Sequence, residues 1–350
     1  MTALITGGAG FIGTNLAHRL LQSGRRVRIL DSLARAGVEE NLRWLRDTHG
    51  SRLEVEIADV RDARAVRRAV SGVAQVFHFA AQVAVTTSLT DPIEDFEVNA
   101  RGTLTLLEAL RALPAPPPLV FTSTNKVYGA LADIGLRRLN RRYQPTAPEI
   151  ERAGVGESRP LDFYSPYGCS KGTADQYVLD YARTFGLPTI VFRMSCIYGP
   201  HQFGTEDQGW VAHFLIQAAK GLPITIYGDG RQVRDVLYVD DLVDALLLAQ
   251  ERMSTEAGHA FNIGGGPGNA ISLLELLDRI GHIFGRPAVT RTEAWRPGDQ
   301  RYYVSNTARF TAATGWEPKV QVDDGLRRLA AWLIEAGRAT VPRRAAGARG

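Results

Sequence analysis

The segment 167–171 carries a tyrosine and a lysine four positions apart, Tyr167 and Lys171. In a helix this spacing brings both side chains to the same face. A tyrosine hydroxyl, with an unperturbed pKa of about 10, is a poor base at neutral pH, but a neighbouring ammonium group favours its phenolate. The pair therefore predicts that Tyr167 accepts a proton from a substrate hydroxyl.

Thr124 is a third candidate catalytic residue. It follows the apolar run 119–123, whose composition predicts a buried strand. A hydroxyl at the end of that strand can hydrogen-bond the oxygen atom that reacts. We therefore expect Thr124 to contact the substrate close to Tyr167.

A glycine-rich turn at residues 7–13 separates the first predicted strand from the first predicted helix. Its G-x-x-G-x-x-G spacing permits a close approach to a pyrophosphate, to which the helix offers free N–H groups. Asp31 ends the second predicted strand, where a carboxylate accepts a hydrogen bond from a ribose 2′-hydroxyl and repels a 2′-phosphate. These features predict NAD as the cofactor, although Arg35 is close enough in sequence to serve a 2′-phosphate. An oxidised nicotinamide ring would further favour the Tyr167 phenolate.

Other small and polar residues follow the predicted strands, at the edge where a doubly wound sheet binds its ligand. The full set that we expect to contact the cofactor is Gly7, Gly10, Phe11, Ile12, Gly13, Asp31, Asp59, Val60, Ala80, Ala81, Gln82, Asn99, Tyr167 and Lys171.

Short apolar runs alternate with longer helical patterns through the first half of the chain. The predicted strands are residues 3–6, 27–31, 53–57, 75–79, 119–123 and 189–193, and the predicted helices are residues 11–23, 64–70, 91–110 and 165–185. This alternation predicts the α/β class, with a Rossmann-like doubly wound parallel sheet and a smaller C-terminal substrate-binding region.

The domain division follows from the point at which this alternation ends. We expect an NAD-binding Rossmann domain over residues 1–195, rejoined by about 236–263, in which 236–249 is a predicted helix. The substrate-binding region would then comprise residues 196–235 and 264–335. Residues 129–164 have no sustained periodicity, and a segment of this length is usually either a functional lid or disordered. Residues 336–350 are predicted to be a disordered basic tail.

Composition excludes several classes of protein. The chain has 350 residues, of which 45% are apolar and 22% are charged, as in globular proteins. No apolar run approaches the roughly 18 residues of a membrane span. Four arginines within residues 336–350 account for the net charge of +4, so this charge does not indicate a nucleic-acid partner.

The cysteines and histidines predict neither a metal site nor a disulfide framework. Cys169 and Cys196 stand in no metal-ligand spacing, and the seven histidines form no cluster. The N-terminal residues lack the features of a signal peptide. We therefore expect a cytoplasmic protein.

Taken together, the glycine turn, Thr124 and the Tyr167–Lys171 pair resemble the extended short-chain dehydrogenase/reductase family of nucleotide-sugar epimerases and dehydratases, over residues 1–335. The resemblance implies an enzyme that holds NAD tightly, reduces and reoxidises it within one turnover, and acts on a nucleotide sugar. It also implies that Lys171 lowers the pKa of Tyr167 and holds the nicotinamide ribose. Members commonly form homodimers or larger homo-oligomers.

Within the family, five segments resemble the 2-epimerases of CDP-linked sugars: 82–88, 123–129, 165–171, 207–211 and 230–235. This resemblance implies an isomerase that inverts C2 through a 2-keto sugar.

Three alternative functions stay open at this point. The 4,6-dehydratases need an acid and a base after the strand-end threonine, where this chain has Asn125 and Lys126, so dehydration is disfavoured. Lys126 could equally be a solvated loop residue. A 4-epimerase would use the same catalytic residues, and a non-catalytic NAD-binding scaffold would need only the glycine turn.

The resemblance also implies a set of substrate contacts. Arg234 and Arg301 carry guanidinium groups suited to a diphosphate, whereas Ser195 stands where many family members have asparagine. The expected set is Thr124, Ser195, Gln208, Gln232, Arg234 and Arg301.

Overall fold

The computed structural model describes residues 1–296 and 298–337. Its strands are β1 (Thr2–Thr6), β2 (Arg26–Asp31), β3 (Leu53–Ile57), β4 (Gln75–His78), β5 (Leu119–Thr124), β6 (Leu136–Arg138), β7 (Tyr143–Pro145), β8 (Thr189–Met194), β9 (Cys196–Tyr198), β10 (Ile224–Tyr227), β11 (Val233–Tyr238), β12 (His259–Ile263), β13 (Ala270–Ser272), β14 (Thr290–Glu293) and β15 (Tyr302–Tyr303). Its α-helices are α1 (Phe11–Gln22), α2 (Val38–His49), α3 (Ala63–Val70), α4 (Val85–Thr90), α5 (Pro92–Phe96), α6 (Gly102–Arg111), α7 (Pro148–Ala153), α8 (Pro166–Phe185), α9 (Trp210–Lys220), α10 (Val239–Glu251), α11 (Met253–Glu256), α12 (Leu273–Phe284), α13 (Ala308–Thr314) and α14 (Val322–Glu335).

The central sheet has seven strands in the order β12-β8-β5-β4-β1-β2-β3, and all neighbours run parallel. The chain proceeds outward from β1 in one direction through β2 and β3, and in the other through β4, β5, β8 and β12. The strand order therefore reverses between β1 and β4, where a doubly wound sheet opens a ligand crevice. The predicted fold class is confirmed.

The strands are apolar because helices cover both faces of the sheet. In β1 the side chains of Leu4 and Ile5 are both fully buried, and they belong to two different apolar clusters. Ile5 packs with residues of α1, α2 and α10, whereas Leu4 packs with residues of α3, α6 and α8. The functional groups are left at the carboxyl ends of the strands.

The helix predicted over residues 91–110 is wrong in detail. Instead of one helix, the structure has α5, a five-residue π-helical turn at Glu97–Arg101, and then α6. The periodicity of the sequence does not distinguish a π turn from an α turn. The wider turn matters because Asn99 lies within it.

The second region contains its own apolar core, formed mainly by α9, α12 and α14. It includes β11, which pairs with β9, β13 and β15. The helix predicted from Val236 begins instead at Val239, because residues 236–238 belong to β11. The chain returns to the central sheet with β12, which lies beside β8.

Residues 129–164 are more ordered than their composition predicts. They form the β6–β7 hairpin and α7, and the hairpin packs against the second region. The Tyr143 N–H donates to the carbonyl of Arg231 at 2.9 Å, and the Arg142 guanidinium donates to the carbonyl of Ala270 at 2.8 Å. These bonds fix the hairpin as a wall of that region.

The basic tail predicted at residues 336–350 lies outside the described residues from residue 338 onward. Among residues 1–296 and 298–337, none of the helices combines the length and the apolar character needed to span a bilayer.

Candidate active site

The turn after β1 has the shape of a pyrophosphate cradle. Gly7 has a φ of +67°, and a Cβ atom there would lie 2.7 Å from the backbone nitrogen of Ala80. A Cβ at Gly13 would lie 2.4 Å from the Gly7 carbonyl oxygen. Gly10 caps α1 and offers no side chain to its first N–H groups. These N–H groups, with the positive end of the helix dipole, fit the pyrophosphate of a dinucleotide. Phe11 and Ile12 lie in the first turn of α1 and would contact the pyrophosphate there.

Asp31 stands at the end of β2 and is linked to this turn. Its carboxylate accepts hydrogen bonds from the N–H groups of Ala9 and Leu33, each at 2.9 Å. Burial raises the pKa of Asp31, and the backbone hydrogen bonds oppose that rise. Its remaining acceptor capacity fits the 2′-hydroxyl of NAD. Arg35 is exposed.

The loops after β3 and β4 bring further expected residues to the same edge of the sheet. The Ala80 N–H donates to the Thr6 hydroxyl at 3.2 Å, and Ala81 follows directly. Val60 packs against Gly102, where a Cβ atom would lie 2.6 Å from a Val60 methyl carbon. Asp59 is engaged by Arg61 at 2.8 Å, which lowers the pKa of the Asp59 carboxyl.

Asn99 joins the loop after β4 to α8. Its Oδ1 accepts from the Gln82 N–H at 2.9 Å, and its Nδ2 donates to the Gln82 carbonyl at 3.0 Å. The same amide nitrogen also lies 3.0 Å from the Ser170 hydroxyl and 3.1 Å from Asp95 Oδ1. Because Ser170 precedes Lys171, Asn99 helps to fix the helix that carries the candidate catalytic pair.

The structure brings Thr124, Tyr167 and Lys171 together, at the carboxyl end of β5 and in the first turns of α8. The Tyr167 hydroxyl is hydrogen-bonded to Thr124, and both side chains are buried. The Lys171 ammonium donates to the Thr122 carbonyl at 2.7 Å and lies 4.2 Å from the centre of the Phe121 ring. Thr124 thus stands beside Tyr167, the candidate proton acceptor, as its place at the strand end predicts.

The electrostatics of the pair differ from the sequence-based expectation. Burial raises the pKa of Tyr167 to about 12, with Asp95 adding to the rise and the Thr124 hydrogen bond opposing it. Burial lowers the pKa of Lys171 to about 7, against the opposing charges of Asp175 and Asp95. In the protein alone, desolvation therefore outweighs the effect of a neighbouring ammonium, and Tyr167 keeps its proton at neutral pH.

Sequence reasoning missed two carboxylates near Lys171. Asp175 lies one helical turn beyond it and forms a buried ion pair with Arg193 at 2.9 Å. Asp95 is 1% exposed and accepts from the Gln82 side chain at 2.8 Å. The i, i+4 spacing of Lys171 and Asp175 was a visible signal, whereas the approach of Asp95 is a long-range contact with no local signature.

His78 was also missed as a neighbour of this site. Its ring nitrogens lie 2.6 Å from the Thr6 hydroxyl and 3.0 Å from the Thr103 hydroxyl. Complete burial and the charge of Lys171 lower the pKa of His78 to about 3, so it is neutral. Its two hydrogen bonds make it a structural support beneath the site.

Three of the expected substrate contacts lie on the second region. Arg234 is 8% exposed and donates to the carbonyls of Val233 at 2.8 Å and Gln300 at 2.6 Å. Arg301 is exposed, 5.6 Å from the Trp295 ring. Gln232 donates to the Tyr227 carbonyl at 2.7 Å.

Two other expected contacts are more constrained. The Ser195 hydroxyl donates to the backbone carbonyl of Asp235 at 2.9 Å and is also hydrogen-bonded to the Asp235 carboxylate. The Ser195 hydroxyl is therefore already engaged within the protein. Gln208 pairs with Thr205 through the backbone, at 2.9 and 3.2 Å.

Asn125 and Lys126 lie at the junction of the two regions. Asn125 donates to the Gln300 side chain at 3.2 Å, and the Lys126 ammonium donates to the Gly298 carbonyl at 3.1 Å. Burial and the nearby Arg234 lower the pKa of Lys126 to about 8. Lys126 is therefore not a solvated loop residue. Within the described part of the chain, no group of three or more histidine, cysteine or carboxylate side chains could hold a metal ion.

The sequence of this chain is similar to those of known proteins over nearly its whole length. A family model described as "NAD dependent epimerase/dehydratase family" matches residues 3–264. The chain is 42% identical to CDP-paratose 2-epimerase from Salmonella typhi over 339 residues, covering 95% of this chain and 99% of that protein.

Two solved structures are also similar to this chain over nearly its whole length. UDP-glucose 4-epimerase from Thermus thermophilus, in complex with NAD, superposes with a TM-score of 0.80 at 33% identity, covering 96% of this chain and 100% of that one. A dTDP-glucose 4,6-dehydratase from Streptomyces venezuelae, with NAD bound, gives a TM-score of 0.83 at 30% identity, covering 96% and 97%.

Proposed function

The chain belongs to the NAD-dependent epimerase/dehydratase family, and on that premise we propose that it converts CDP-paratose into CDP-tyvelose by inverting C2. One observation carries the proposal: Thr124, Tyr167 and Lys171 meet in one buried site, while the two positions after Thr124 hold Asn125 and Lys126. The chain can therefore oxidise and reduce a sugar carbon but lacks the carboxyl pair for eliminating water. The full-length similarity to CDP-paratose 2-epimerase supports the choice of substrate.

Three parts of the site would hold NAD: the turn at residues 7–13, Asp31 and Lys171. The chemistry that NAD supplies when bound is the reversible uptake of a hydride from a carbon that bears a hydroxyl group. Tyr167 removes the proton of the C2 hydroxyl, and the sugar that has lost both proton and hydride is a 2-keto sugar. Thr124 donates a hydrogen bond to the same oxygen. The keto sugar then presents its other face, and Tyr167 returns the proton as C2 is reduced, so that no net oxidation occurs.

Substrate would be held from the second region. Arg234 and Arg301 supply the cations for the diphosphate, and Gln208 and Gln232 supply amide groups. Ser195 would contribute through its backbone or its position rather than through a free hydroxyl, since that hydroxyl is engaged by Asp235.

Two features of the whole protein belong to the proposal. We expect a homodimer or a larger homo-oligomer, which the exposed apolar side chains of Ile93 (75% exposed) and Phe96 (50% exposed) on α5, next to α8, support. We also expect the enzyme to act in the cytoplasm, because its cysteines are free.

The proposal is tested with purified protein and CDP-paratose in deuterated water, without added NAD, by following the C2 proton with NMR. We expect CDP-tyvelose in which C2 keeps its original hydrogen, because the hydride returns to the carbon it left. Deuterium at C2 would mean a carbanion mechanism and would contradict the proposal. If bound NAD is confirmed by absorbance and CDP-paratose does not turn over, the function is wrong, and UDP-glucose then tests the 4-epimerase alternative.

A further inference from the structure

Two cations of the candidate site, Lys126 and Arg234, donate to backbone carbonyls and have no carboxylate partner among the described residues. Lys126 is partly buried, and its ammonium donates to the Gly298 carbonyl at 3.1 Å. Arg234 is buried, and its guanidinium donates to the carbonyls of Val233 and Gln300. Across residues 1–296 and 298–337, neither side chain forms an ion pair. Their acceptors, the carbonyls of Gly298 and Gln300, lie two residues apart in one loop, and Arg234 lowers the pKa of Lys126.

This arrangement is unfavourable unless an anion binds. Burying two like charges costs free energy, and the cost is normally offset by an opposite charge. Arg193, the other buried arginine, has such a partner in Asp175, at 2.9 Å. Asp299 is near enough to raise the pKa of Lys126 but forms no ion pair with it within the described residues. Lys126 and Arg234 therefore resemble an anion-binding site without its anion, because both side chains have N–H groups left to donate.

The position of Lys126 relates this anion site to the proton acceptor. Lys126 follows Thr124 by two residues, and its carbonyl oxygen lies 3.3 Å from where a Cβ atom of Gly168 would be. Gly168 is the neighbour of Tyr167. The backbone of Lys126 thus contacts both elements that carry the reacting groups, the end of β5 and the start of α8.

The chemistry of a nucleotide sugar then distinguishes two substrate poses. The diphosphate is attached to C1, so when C2 stands at Tyr167 the β-phosphate is close to the reacting carbon. When C4 stands at Tyr167, the width of the sugar ring separates the two. A cation carried by the residue two positions after Thr124 matches the first pose.

We propose that Lys126 and Arg234 together bind the β-phosphate of the nucleotide sugar, and that Lys126 thereby positions C2 rather than C4 at Tyr167. This inference rests on the proposed C2 epimerisation. It assigns to Lys126 a phosphate-binding and positioning role for which a carboxylate at the same place would be unsuitable.

The test compares CDP with CMP, which lacks the β-phosphate, by titration calorimetry on the purified holoenzyme. Lys126→Met removes the charge at similar length, Lys126→Arg keeps it, and Lys220→Met is the matched control at an exposed lysine at the end of α9. We expect Lys126→Met to weaken CDP binding about 10- to 100-fold, the size of a hydrogen bond to a charged group, and CMP binding less than about twofold. Lys126→Arg should recover most of the CDP affinity, and Lys220→Met should match the wild type.

Unchanged CDP binding in Lys126→Met would overturn the inference, as would equal losses for CDP and CMP, which would indicate damage outside the phosphate site.

Turnover of CDP-paratose by Lys126→Met tests the positioning role. We expect kcat to fall and KM to rise, and a change in KM alone would contradict that role. If the wild type does not turn over CDP-paratose, the proposed function fails, yet the CDP and CMP titrations, or the matching UDP and UMP pair, still decide whether Lys126 binds the β-phosphate.

Discussion

Replacing Asn99 by aspartate tests whether the π-helical turn supports the active site. The change substitutes one oxygen for the amide NH₂ and keeps Oδ1, which accepts from the Gln82 N–H. It removes the amide hydrogens that reach the Gln82 carbonyl, Ser170 and Asp95 at 3.0 to 3.1 Å. It also places a second carboxylate against Asp95, whose pKa burial already raises.

The expected loss of stability can be added from these contacts. The NH₂ group has two hydrogens shared among these three acceptors, so two hydrogen bonds are lost, and at roughly 1 kcal/mol each they give about 2 kcal/mol. At pH 8 the repulsion between the two carboxylates adds about 1 to 2 kcal/mol, since a buried like-charge pair raises one pKa by at least a unit. We therefore expect Asn99→Asp to lower the free energy of unfolding by about 3 to 4 kcal/mol at pH 8.

The pH dependence has a definite sign. In the folded variant the shared pKa of the pair is raised above the value of about 4 in the unfolded chain, so protonation favours the folded state. The penalty should fall to about 1 kcal/mol near pH 5, where one carboxyl group is protonated and donates a hydrogen bond back. Urea denaturation at both pH values measures this, with Asn140→Asp on the exposed β6–β7 turn as the control. A loss below about 1 kcal/mol at pH 8, or one that does not depend on pH, would refute the role given to Asn99.

Three further predictions address the chemistry directly. Tyr167→Phe should reduce turnover about 100-fold or more while NAD remains bound; steady-state kinetics and cofactor absorbance check this, and the exposed Tyr164→Phe should behave as the wild type. Because the pKa of Lys126 is lowered to about 8, KM for the nucleotide sugar should rise as the pH increases through 8, and Lys126→Arg should abolish that rise. Asp31→Ser should weaken NAD binding about tenfold and reduce discrimination against NADP, measured by fluorescence titration of stripped protein; an unchanged NAD preference would contradict the role of Asp31.

The central sheet and the glycine turn were predictable because their signals are local. A buried parallel strand needs a continuous apolar run, and the cradle at Gly7 and Gly13 needs glycine because the backbone atoms of other residues lie within 3 Å of any Cβ. The Tyr167–Lys171 spacing is equally local, since one helical turn decides it. The sequence signal of each of these features is carried by residues that are close together in the chain.

The features that escaped prediction depend on long-range contacts. The π turn at Glu97–Arg101 has the apolar pattern of an ordinary helix, and its purpose is visible only when Asn99 meets Gln82 and Ser170. Likewise, residues 236–238 read as the start of a helix, but pairing with β9 makes them a strand. The position of Lys126 is set by the loop around Gly298, which is distant in the sequence.

The pKa of Tyr167 shows how the buried site can supply a base. With a pKa of about 12, forming the phenolate at pH 7 costs roughly 7 kcal/mol, at 1.36 kcal/mol per pKa unit. A positive charge about 5 Å away contributes about 3 kcal/mol in an effective dielectric of roughly 20. One cation is therefore insufficient and two are nearly enough.

Lys171, one helical turn from Tyr167, would supply one of these cations, because its pKa of about 7 leaves it near half protonated at pH 7 and a neighbouring phenolate favours its ammonium form. The second must come from outside the chain, and an oxidised nicotinamide ring carries a positive charge that the reduced ring lacks. Tyr167 would then be a base beside the oxidised ring and an acid beside the reduced one. An epimerase needs this alternation, since the same hydroxyl must take a proton in the first half of the reaction and return it in the second.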